Sequence, residues 1–234
     1  MDAITAQQIR HLRLSPHRPL LICDVDGVVV KFVAALEEWL AARGLTLHPD
    51  SWALEGNIRT PAGEPVSGVA FERLLHAFFS ERSGDMPLME GAAEALAGLA
   101  RHGVQVVLLT NLPHQYRAAR RRNLVRHGLN FPVVTNSGPK GPAVRMLRQL
   151  VREEVAFVDD HPDFLHSASQ CRAPGRQVHL VHFVEEELPF TAHLPPLNAP
   201  HVKVRDWRQA QGVLRRLLVE VPSRRHLADT GGER

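Results

Sequence analysis

Apolar runs of strand length alternate with segments of helical periodicity along most of the chain. The first run, residues 19–24, is apolar up to its last residue, which is typical of a strand buried on both faces of a parallel sheet. From residue 104 onward, short apolar runs and amphipathic segments follow one another regularly. The pattern predicts strands over 19–24, 104–110, 131–135, 155–158 and 178–184, and helices over 28–42, 69–79, 90–102, 114–127, 142–152, 162–170 and 205–218.

This alternation predicts an α/β protein with a parallel sheet and helices on both of its faces. Right-handed crossovers then bring the carboxyl ends of the strands to one edge. Outside the regular pattern, residues 1–18 form a polar lead-in that is compatible with a short helix, and residues 45–68 are rich in turn formers. Residues 221–234 are polar and are predicted to be a disordered tail.

Composition narrows the class of protein. The 234 residues are 44% hydrophobic and 23% charged, as in a soluble globular protein, and no apolar run approaches the roughly 20 residues that span a bilayer. The first 19 residues lack the apolar segment of a secretory signal, so a cytoplasmic location is predicted. A net charge of +3 requires no nucleic-acid polymer as partner. Cys23 and Cys171 supply no disulfide framework, and Cys23 is expected to be a buried thiol.

Polar side chains follow four of the predicted strands. Ligands of open α/β sheets bind at the edge where these strands end, so the four segments are expected to share one site. Lysine is also rare, since 3 of the 28 basic residues are lysines, which draws attention to any lysine at this edge. The four segments are Asp24 with Asp26, Thr110-Asn111, Lys140 and Asp159-Asp160.

The two aspartates of the first segment suit phosphoryl transfer. A carboxylate such as Asp24 can attack phosphorus and form an aspartyl-phosphate. A hard cation, held by Asp24, Asp160 and the backbone carbonyl of Asp26, would neutralise the phosphate that Asp24 must approach. The side chain of Asp26 can protonate the leaving oxygen and later deprotonate the attacking water.

Gly27, Thr110 and Lys140 would complete a phosphate cradle. Gly27 permits a tight turn that aims N–H groups at the phosphate, the Thr110 hydroxyl can bind a phosphate oxygen, and Lys140 can neutralise developing charge. Structural alternatives exist for each: a common turn, a helix cap and a solvated loop lysine. The valines at 28–30 exclude an EF-hand. Asp159-Asp160 is harder to explain structurally, because adjacent carboxylates repel unless a cation or donors lie nearby.

In their order along the chain, these segments resemble the motifs of the haloacid dehalogenase superfamily of phosphohydrolases, over roughly residues 19–185. The resemblance implies a Rossmann-like three-layer α/β/α core with a mobile cap and a requirement for Mg²⁺. The dehalogenases of the superfamily lack an aspartate at the position of Asp26, so its presence favours a phosphatase. Carried over residue by residue, the catalytic set is Asp24, Asp26, Thr110 and Lys140, and the metal set is Asp24, Asp26, Asp159 and Asp160.

The resemblance also implies a division into core and cap. Residues 1–30 and 88–220 form the predicted core, and residues 31–87 a small helical cap of the first type, inserted after the first strand. A narrower likeness is to the 5′(3′)-deoxyribonucleotidases. It rests on the opening Asp-Val-Asp-Gly-Val, on the motif Asp159-Asp160-His161-Pro162-Asp163 and on a late Asp206-Trp207.

The candidate substrate contacts are Gly27, Asn111 and three aromatic residues. Phe32 and the pair Phe78-Phe79 match positions of the nucleotidases, in which aromatic side chains in and near the cap stack on the nucleobase. The alternative is that they pack the cap helices together. Lys31 and Asn111 depart from the nucleotidase pattern, which usually has an acidic residue and a serine there.

The resulting hypothesis is a Mg²⁺-dependent phosphomonoester hydrolase for a small phosphorylated metabolite, such as a (deoxy)nucleoside monophosphate, with no membrane partner, as a monomer or homodimer. A catalytically silent phosphate-binding domain is the alternative. A response-regulator receiver fits less well, because its acidic pair ends the first strand.

The stretch 117–122 with Arg126 is interpreted as a solvated helix face rather than a polyphosphate or nucleic-acid site. None of the 14 histidines shows the pairing typical of zinc sites.

Overall fold

The computed structural model of the chain describes residues 1–170, 177–185 and 189–220. Cys171 and the predicted tail 221–234 lie outside these ranges. In chain order the elements are α1 (Ala3–Arg10), β1 (Leu20–Cys23), α2 (Phe32–Ala41), β2 (Thr46–Leu47), β3 (Ile58–Arg59), α3 (Gly68–Arg82), α4 (Ala92–Arg101), β4 (Gln105–Thr110), α5 (Arg117–Arg126), β5 (Val133–Thr135), α6 (Gly141–Gln149), β6 (Val155–Asp159), α7 (Pro162–Ser169), β7 (Val178–Phe183), β8 (Val202–Val204) and α8 (Trp207–Leu218), with 3-10 turns at His114–Tyr116 and Pro189–His193.

Six parallel strands form the main sheet in the order β5-β4-β1-β6-β7-β8. β1 is central and all four of its residues are buried, which explains its uninterrupted apolar sequence. Leu21 and Cys23 face a core shared with α2, α4 and α8, whereas Leu20 and Ile22 face a core shared with α1, α6 and α7. The three-layer α/β/α architecture expected from the sequence is therefore confirmed.

One strand of the sheet was not foreseen. β8 pairs with β7 in parallel, and two of its three residues are exposed. A strand of three residues at a sheet edge has too few apolar positions to show a period of two. The proline-rich stretch before it gives no signal of a strand either.

The turn after β1 takes up residues that the sequence pattern assigned to a helix. The N–H groups of Val28, Val29 and Val30 all donate to the carbonyl oxygen of Val25, at 3.4, 2.8 and 2.9 Å. The three valine side chains are fully buried. α2 therefore begins only at Phe32, four residues later than predicted, and a compact turn carries Asp26 and Gly27.

The insertion between β1 and α4 holds more than helices. α2 and α3 carry its apolar residues, and the turn-rich segment between them forms a short antiparallel hairpin of β2 and β3. Ile58 of this hairpin is buried in the same core as α2 and α3. Two-residue strands leave no readable period, so only the helices could be predicted.

The polar lead-in contains α1, and this helix is part of the core. Asp2 caps it by accepting from the N–H of Thr5 at 2.8 Å, and Ile9 is completely buried. Among the described residues, no helix is both long and apolar enough to cross a bilayer.

Candidate active site

The carboxyl ends of β4, β1 and β6 lie side by side, and the predicted residues meet there. Lys140, which precedes α6, is fully buried between two carboxylates. Its Nζ lies 2.6 Å from Asp24 Oδ1 and 2.7 Å from Asp159 Oδ2. Asp159 Oδ1 also accepts the N–H of His161 at 2.9 Å. The structure thus joins the first, third and fourth sequence motifs in one hydrogen-bonded group.

Asp26 is bound on both of its carboxylate oxygens. The Thr110 hydroxyl donates to Oδ2 at 2.9 Å, and Nη2 of Arg120 donates to Oδ1 at 2.7 Å. Thr110 was expected to bind phosphate directly, but in this structure its hydroxyl hydrogen is used on Asp26. Thr110 and Arg120 are fully buried.

Arg120 is the functional candidate that sequence reasoning missed. It belongs to the arginine-rich stretch that was interpreted as a solvated helix face, and for Arg120 that interpretation is wrong. The residues that α5 buries are Arg120, Asn123 and Leu124, at the i, i+3, i+4 spacing of one helix face. That spacing relative to Leu124 was the available signal, but the arginines on either side concealed it.

Asp160 lies against the turn at Gly27. Gly27 has a φ of +84°, and a Cβ built on it would collide with Asp160 Oδ2. Glycine is therefore required twice here, by the backbone conformation and by the close approach of a carboxylate. The backbone carbonyl of Asp160 lies 3.0 Å from Nε2 of His182, so Asp160 is fixed on both sides.

The described residues contain one cluster suited to a metal ion. Asp24, Asp159 and Asp160 each offer a carboxylate oxygen, and these three atoms lie within 4.8 Å of one another. An all-oxygen, anionic donor set fits a hard divalent cation such as Mg²⁺. The predicted third ligand, the carbonyl of Asp26, lies in the turn beside this cluster.

The shifted pKa values of the acidic cluster also indicate a cation site. Burial raises the pKa of Asp24 to about 7 against the opposing effect of Lys140, and the charges of Asp159 and Asp26 raise it further. Burial, followed by the charges of Asp24 and Asp159, raises the pKa of Asp160 well above its ordinary value. Burial disfavours the charge of Lys140, but Asp159 and Asp24 outweigh it and raise the lysine pKa. One ammonium leaves the negative charge of three carboxylates incompletely balanced, as expected where a cation binds.

The amide of Asn111, which was predicted to contact the substrate, makes two hydrogen bonds within the protein. Its Nδ2 donates to the carbonyl of Gly138 at 2.9 Å, and its Oδ1 accepts from Asn136 Nδ2 at 2.9 Å. Both atoms of the amide therefore hold the loop that leads into Lys140. We assign Asn111 to the support of that loop.

The three predicted aromatic contacts form one cluster. The ring centroid of Phe32 lies 5.5 Å from that of Phe78 and 6.0 Å from that of Phe79. Phe78 is completely buried and also packs edge-on against Trp39, at 5.6 Å. For Phe78 the alternative interpretation, packing of the cap helices, describes the structure. Phe32 is partly exposed at the start of α2, five residues after Gly27.

A different aromatic residue of the insertion reaches His161, the residue that follows the acidic pair. Trp52, in the segment between β2 and β3, lies with its ring centroid 5.8 Å from that of His161. On the β4 side, His76 of α3 lies 5.3 Å from the ring of Tyr116. The insertion therefore contacts the core on both sides of the sheet edge that carries the candidate site. Trp52 had no sequence signal, because its segment lacks periodicity.

Comparison with known proteins identifies solved structures that have a similar fold. No protein-family model and no curated protein matches the sequence. Among solved structures, a HAD-family hydrolase from Deinococcus radiodurans, determined with phosphate and sodium bound, has a TM-score of 0.62 and 18% identity over 90% of this chain and 100% of its own. A haloacid dehalogenase-like hydrolase from Streptococcus pneumoniae has a TM-score of 0.57 and 11% identity, covering 86% and 100%. A candidate HAD hydrolase from Bacillus subtilis, bound to magnesium, has a TM-score of 0.57 and 14% identity, covering 86% and 99%.

At these identities the likeness shows the fold alone. The chain has the fold of the haloacid dehalogenase-type hydrolases over nearly its whole length, which confirms the fold class and the broad resemblance expected from the sequence. The narrower likeness to nucleotidases and the roles of individual residues stay predictions.

Proposed function

We propose that the protein is a Mg²⁺-dependent phosphomonoester hydrolase that works through an aspartyl-phosphate on Asp24. The observation that carries the proposal is the Asp24–Lys140–Asp159 group beside the acidic cluster. A buried lysine between two carboxylates orients one of them as a nucleophile. A further acid, Asp26, stands two residues away on the same turn.

The first half-reaction would transfer the phosphoryl group to the protein. A carboxylate oxygen of Asp24 forms a bond to phosphorus while the bond between phosphorus and the leaving oxygen breaks. The electron pair of that bond goes to the leaving oxygen, which takes a proton from Asp26. Lys140 holds Asp24 in place through its contact at 2.6 Å.

The second half-reaction would regenerate the enzyme. Asp26, now a carboxylate, accepts a proton from a water molecule as that water attacks phosphorus. The bond between phosphorus and Asp24 breaks, and inorganic phosphate leaves. One residue serves as acid in the first step and as base in the second, so its carboxyl must be held steadily over the nucleophile.

Asp24 and Asp160, with the carbonyl of Asp26, would hold the Mg²⁺, and Asp159 would orient Lys140 beside them. The cation supplies neutralisation of the phosphate dianion, which would otherwise be repelled by the carboxylates. Gly27 lets the chain approach the phosphate closely, because its Cα carries no side chain in the narrow space beside Asp160.

For the substrate we propose a small phosphorylated metabolite, with (deoxy)nucleoside monophosphates as the first class to examine. In support, two partly exposed aromatic rings of the insertion border the site: Phe32, and Trp52, which contacts His161 next to Asp160. Flat aromatic rings bind flat substrates by stacking. Phe78 makes no contribution to such binding, because it is buried.

Substitution of the nucleophile tests the proposal. Asp24→Asn should abolish release of phosphate from p-nitrophenyl phosphate in the presence of Mg²⁺, because the amide is a poor nucleophile. Asp85→Asn is the control, since Asp85 is an exposed carboxylate on the loop before α4 and should behave as the wild type. Thermal denaturation checks that both variants fold.

Near-normal turnover by Asp24→Asn would refute the aspartyl-phosphate. A wild type that binds phosphate with Mg²⁺ but hydrolyses no compound in a panel of nucleotides, sugar phosphates and phosphoglycolate-like esters would instead favour the silent, phosphate-binding alternative.

A further inference from the structure

The environment of Arg120 is unusual for an arginine on an arginine-rich helix. Its side chain is completely inaccessible to solvent, and its Nη2 lies 2.7 Å from Asp26 Oδ1. Its Nε and Nη1 are buried and have no hydrogen-bond partner among the residues that the structure describes. Desolvating a guanidinium is strongly unfavourable unless its partners compensate. The ion pair with Asp26 therefore leaves a desolvation cost that a purely structural role does not explain.

The two oxygens of Asp26 have different partners, and this difference assigns them different tasks. Oδ1 accepts from a cation whose planar guanidinium is held by the packing of α5. Oδ2 accepts from the Thr110 hydroxyl, which can rotate and has one hydrogen to donate. Oδ1 is thus permanently engaged, whereas Oδ2 can be released.

We propose that Arg120 is the positioning residue of the acid/base Asp26, and that it reserves Oδ2 as the oxygen that carries the proton. This inference rests on the proposed phosphatase function. When a substrate phosphate oxygen takes the Thr110 hydroxyl hydrogen, Oδ2 loses its donor while Oδ1 stays on Arg120. The hydrogen bond from Arg120 to Oδ1 then prevents the carboxyl group from rotating, so that Oδ2 faces the leaving oxygen.

The proton balance follows from this arrangement. The substrate enters as its monoanion and gives its proton to Oδ2 when the Thr110 hydroxyl turns from Asp26 to the phosphate. In the first half-reaction that proton passes to the leaving oxygen, and the resulting carboxylate keeps its ion pair with Arg120. In the second, a proton from the attacking water returns to Oδ2. Arg120 takes no part in these proton transfers and acts only through its hydrogen bond to Oδ1.

The experiment is a leaving-group series with Arg120→Lys, which keeps the charge and loses the planar guanidinium. A poor leaving group such as an alkoxide needs the proton from Asp26, whereas p-nitrophenolate scarcely needs it. We expect kcat/KM to fall about 100-fold for an alkyl phosphate and roughly threefold or less for p-nitrophenyl phosphate, within the range known for general acids.

Two arginines of this chain are matched controls for the exchange. Arg121→Lys changes the neighbouring exposed residue of α5, and Arg148→Lys changes another buried arginine, which donates to the carbonyl of Val151. Neither should alter the dependence on the leaving group. Arg120→Met, an uncharged residue of similar length, shows whether any loss follows thermal stability instead of chemistry.

A double-mutant cycle gives a second readout. If Arg120 acts through Asp26, then Arg120→Lys should reduce activity little further once Asp26→Asn is present. Equal losses across the leaving-group series, or losses that multiply in the double variant, would overturn the positioning role while leaving the proposed function intact. A wild type without phosphatase activity would overturn both.

Discussion

At the scale of the residue, Lys140 and Arg120 show which candidate site residues can be recognised from the sequence. Lys140 was conspicuous because lysine is rare in this chain, and the structure places it between Asp24 and Asp159. Arg120 was not conspicuous, because arginine is common in this chain and the two arginines that follow it on α5, Arg121 and Arg122, are exposed. A sequence reveals an unusual residue type more readily than an unusual environment of a common type.

Lys140→Met should both inactivate and destabilise the protein. The substitution leaves Asp24 and Asp159 buried without their cation, and breaking a buried pair in this way is unfavourable by about 3–5 kcal/mol. Urea denaturation without Mg²⁺ at about pH 8 measures the loss. Lys203→Met, at an exposed position of β8, is the control and should change the free energy of unfolding by about 0.5 kcal/mol or less. An equal change for both variants would contradict the assignment of Lys140 to the charge balance of the site.

At the scale of the element, the long alternating segments were predictable and the short irregular ones were not. Strands such as β4 and β6 are buried along almost their whole length, so their sequences are apolar except at their ends. The hairpin of β2 and β3 and the edge strand β8 have two or three residues each, and their positions depend on contacts with distant parts of the chain. No local pattern records such contacts.

The turn after β1 allows a separate test of site geometry. Gly27→Ala introduces a Cβ where Asp160 Oδ2 lies, so Mg²⁺ should bind more weakly. Gly103→Ala is the matched control, since Gly103 has a φ of +89° and nothing lies within 4 Å of its Cβ position. Both variants should lose about 1–2 kcal/mol from left-handed backbone strain. Titration of thermal stability with MgCl₂ should then distinguish them, and equal Mg²⁺ responses would contradict a role for Gly27 in admitting Asp160.

At the scale of the whole molecule, the topology of the sheet made the site predictable. Parallel strands joined by right-handed crossovers bring Asp24, Thr110, Lys140 and Asp159 together although they are separated by up to 135 residues (159 − 24). No comparable rule predicts where the insertion contacts the core. The contact of Trp52 with His161 depends on the shapes of two surfaces, and it became visible only in three dimensions.

Stability should depend on pH and Mg²⁺ together. The pKa of Asp24 rises from an ordinary value of 3.8 to about 7 in the folded protein, so its neutral form is favoured by folding. This contribution is complete below pH 3.8 and is lost as the pH rises through about 7, where the buried carboxylate becomes charged. The pKa of Asp160 shifts in the same direction. Mg²⁺ should restore the lost stability, because it binds the charged forms.

The melting temperature with MgCl₂, minus that with EDTA, measures this coupling. The difference should be small at about pH 5 and reach several degrees at about pH 8, since 1 kcal/mol shifts the midpoint by roughly 2–4 °C at this size. Asp160→Asn should reduce the difference at the higher pH. A difference in melting temperature that does not change with pH would show that Mg²⁺ does not bind at these carboxylates.

The docking of α1 has a consequence for how molecules of this protein meet one another. β5 is an edge strand, and side chains of neighbouring helices occupy its outer backbone groups: Gln8 Oε1 accepts from the N–H of Thr135 at 2.9 Å, the Thr5 hydroxyl donates to its carbonyl at 2.9 Å, and Arg117 Nε donates to the carbonyl of Val133 at 2.7 Å. An unpaired edge is a template on which a second chain can add a strand. Because side chains of α1 and α5 already occupy these backbone groups, a second chain finds them taken, and the docked first helix protects this edge against the addition of a strand.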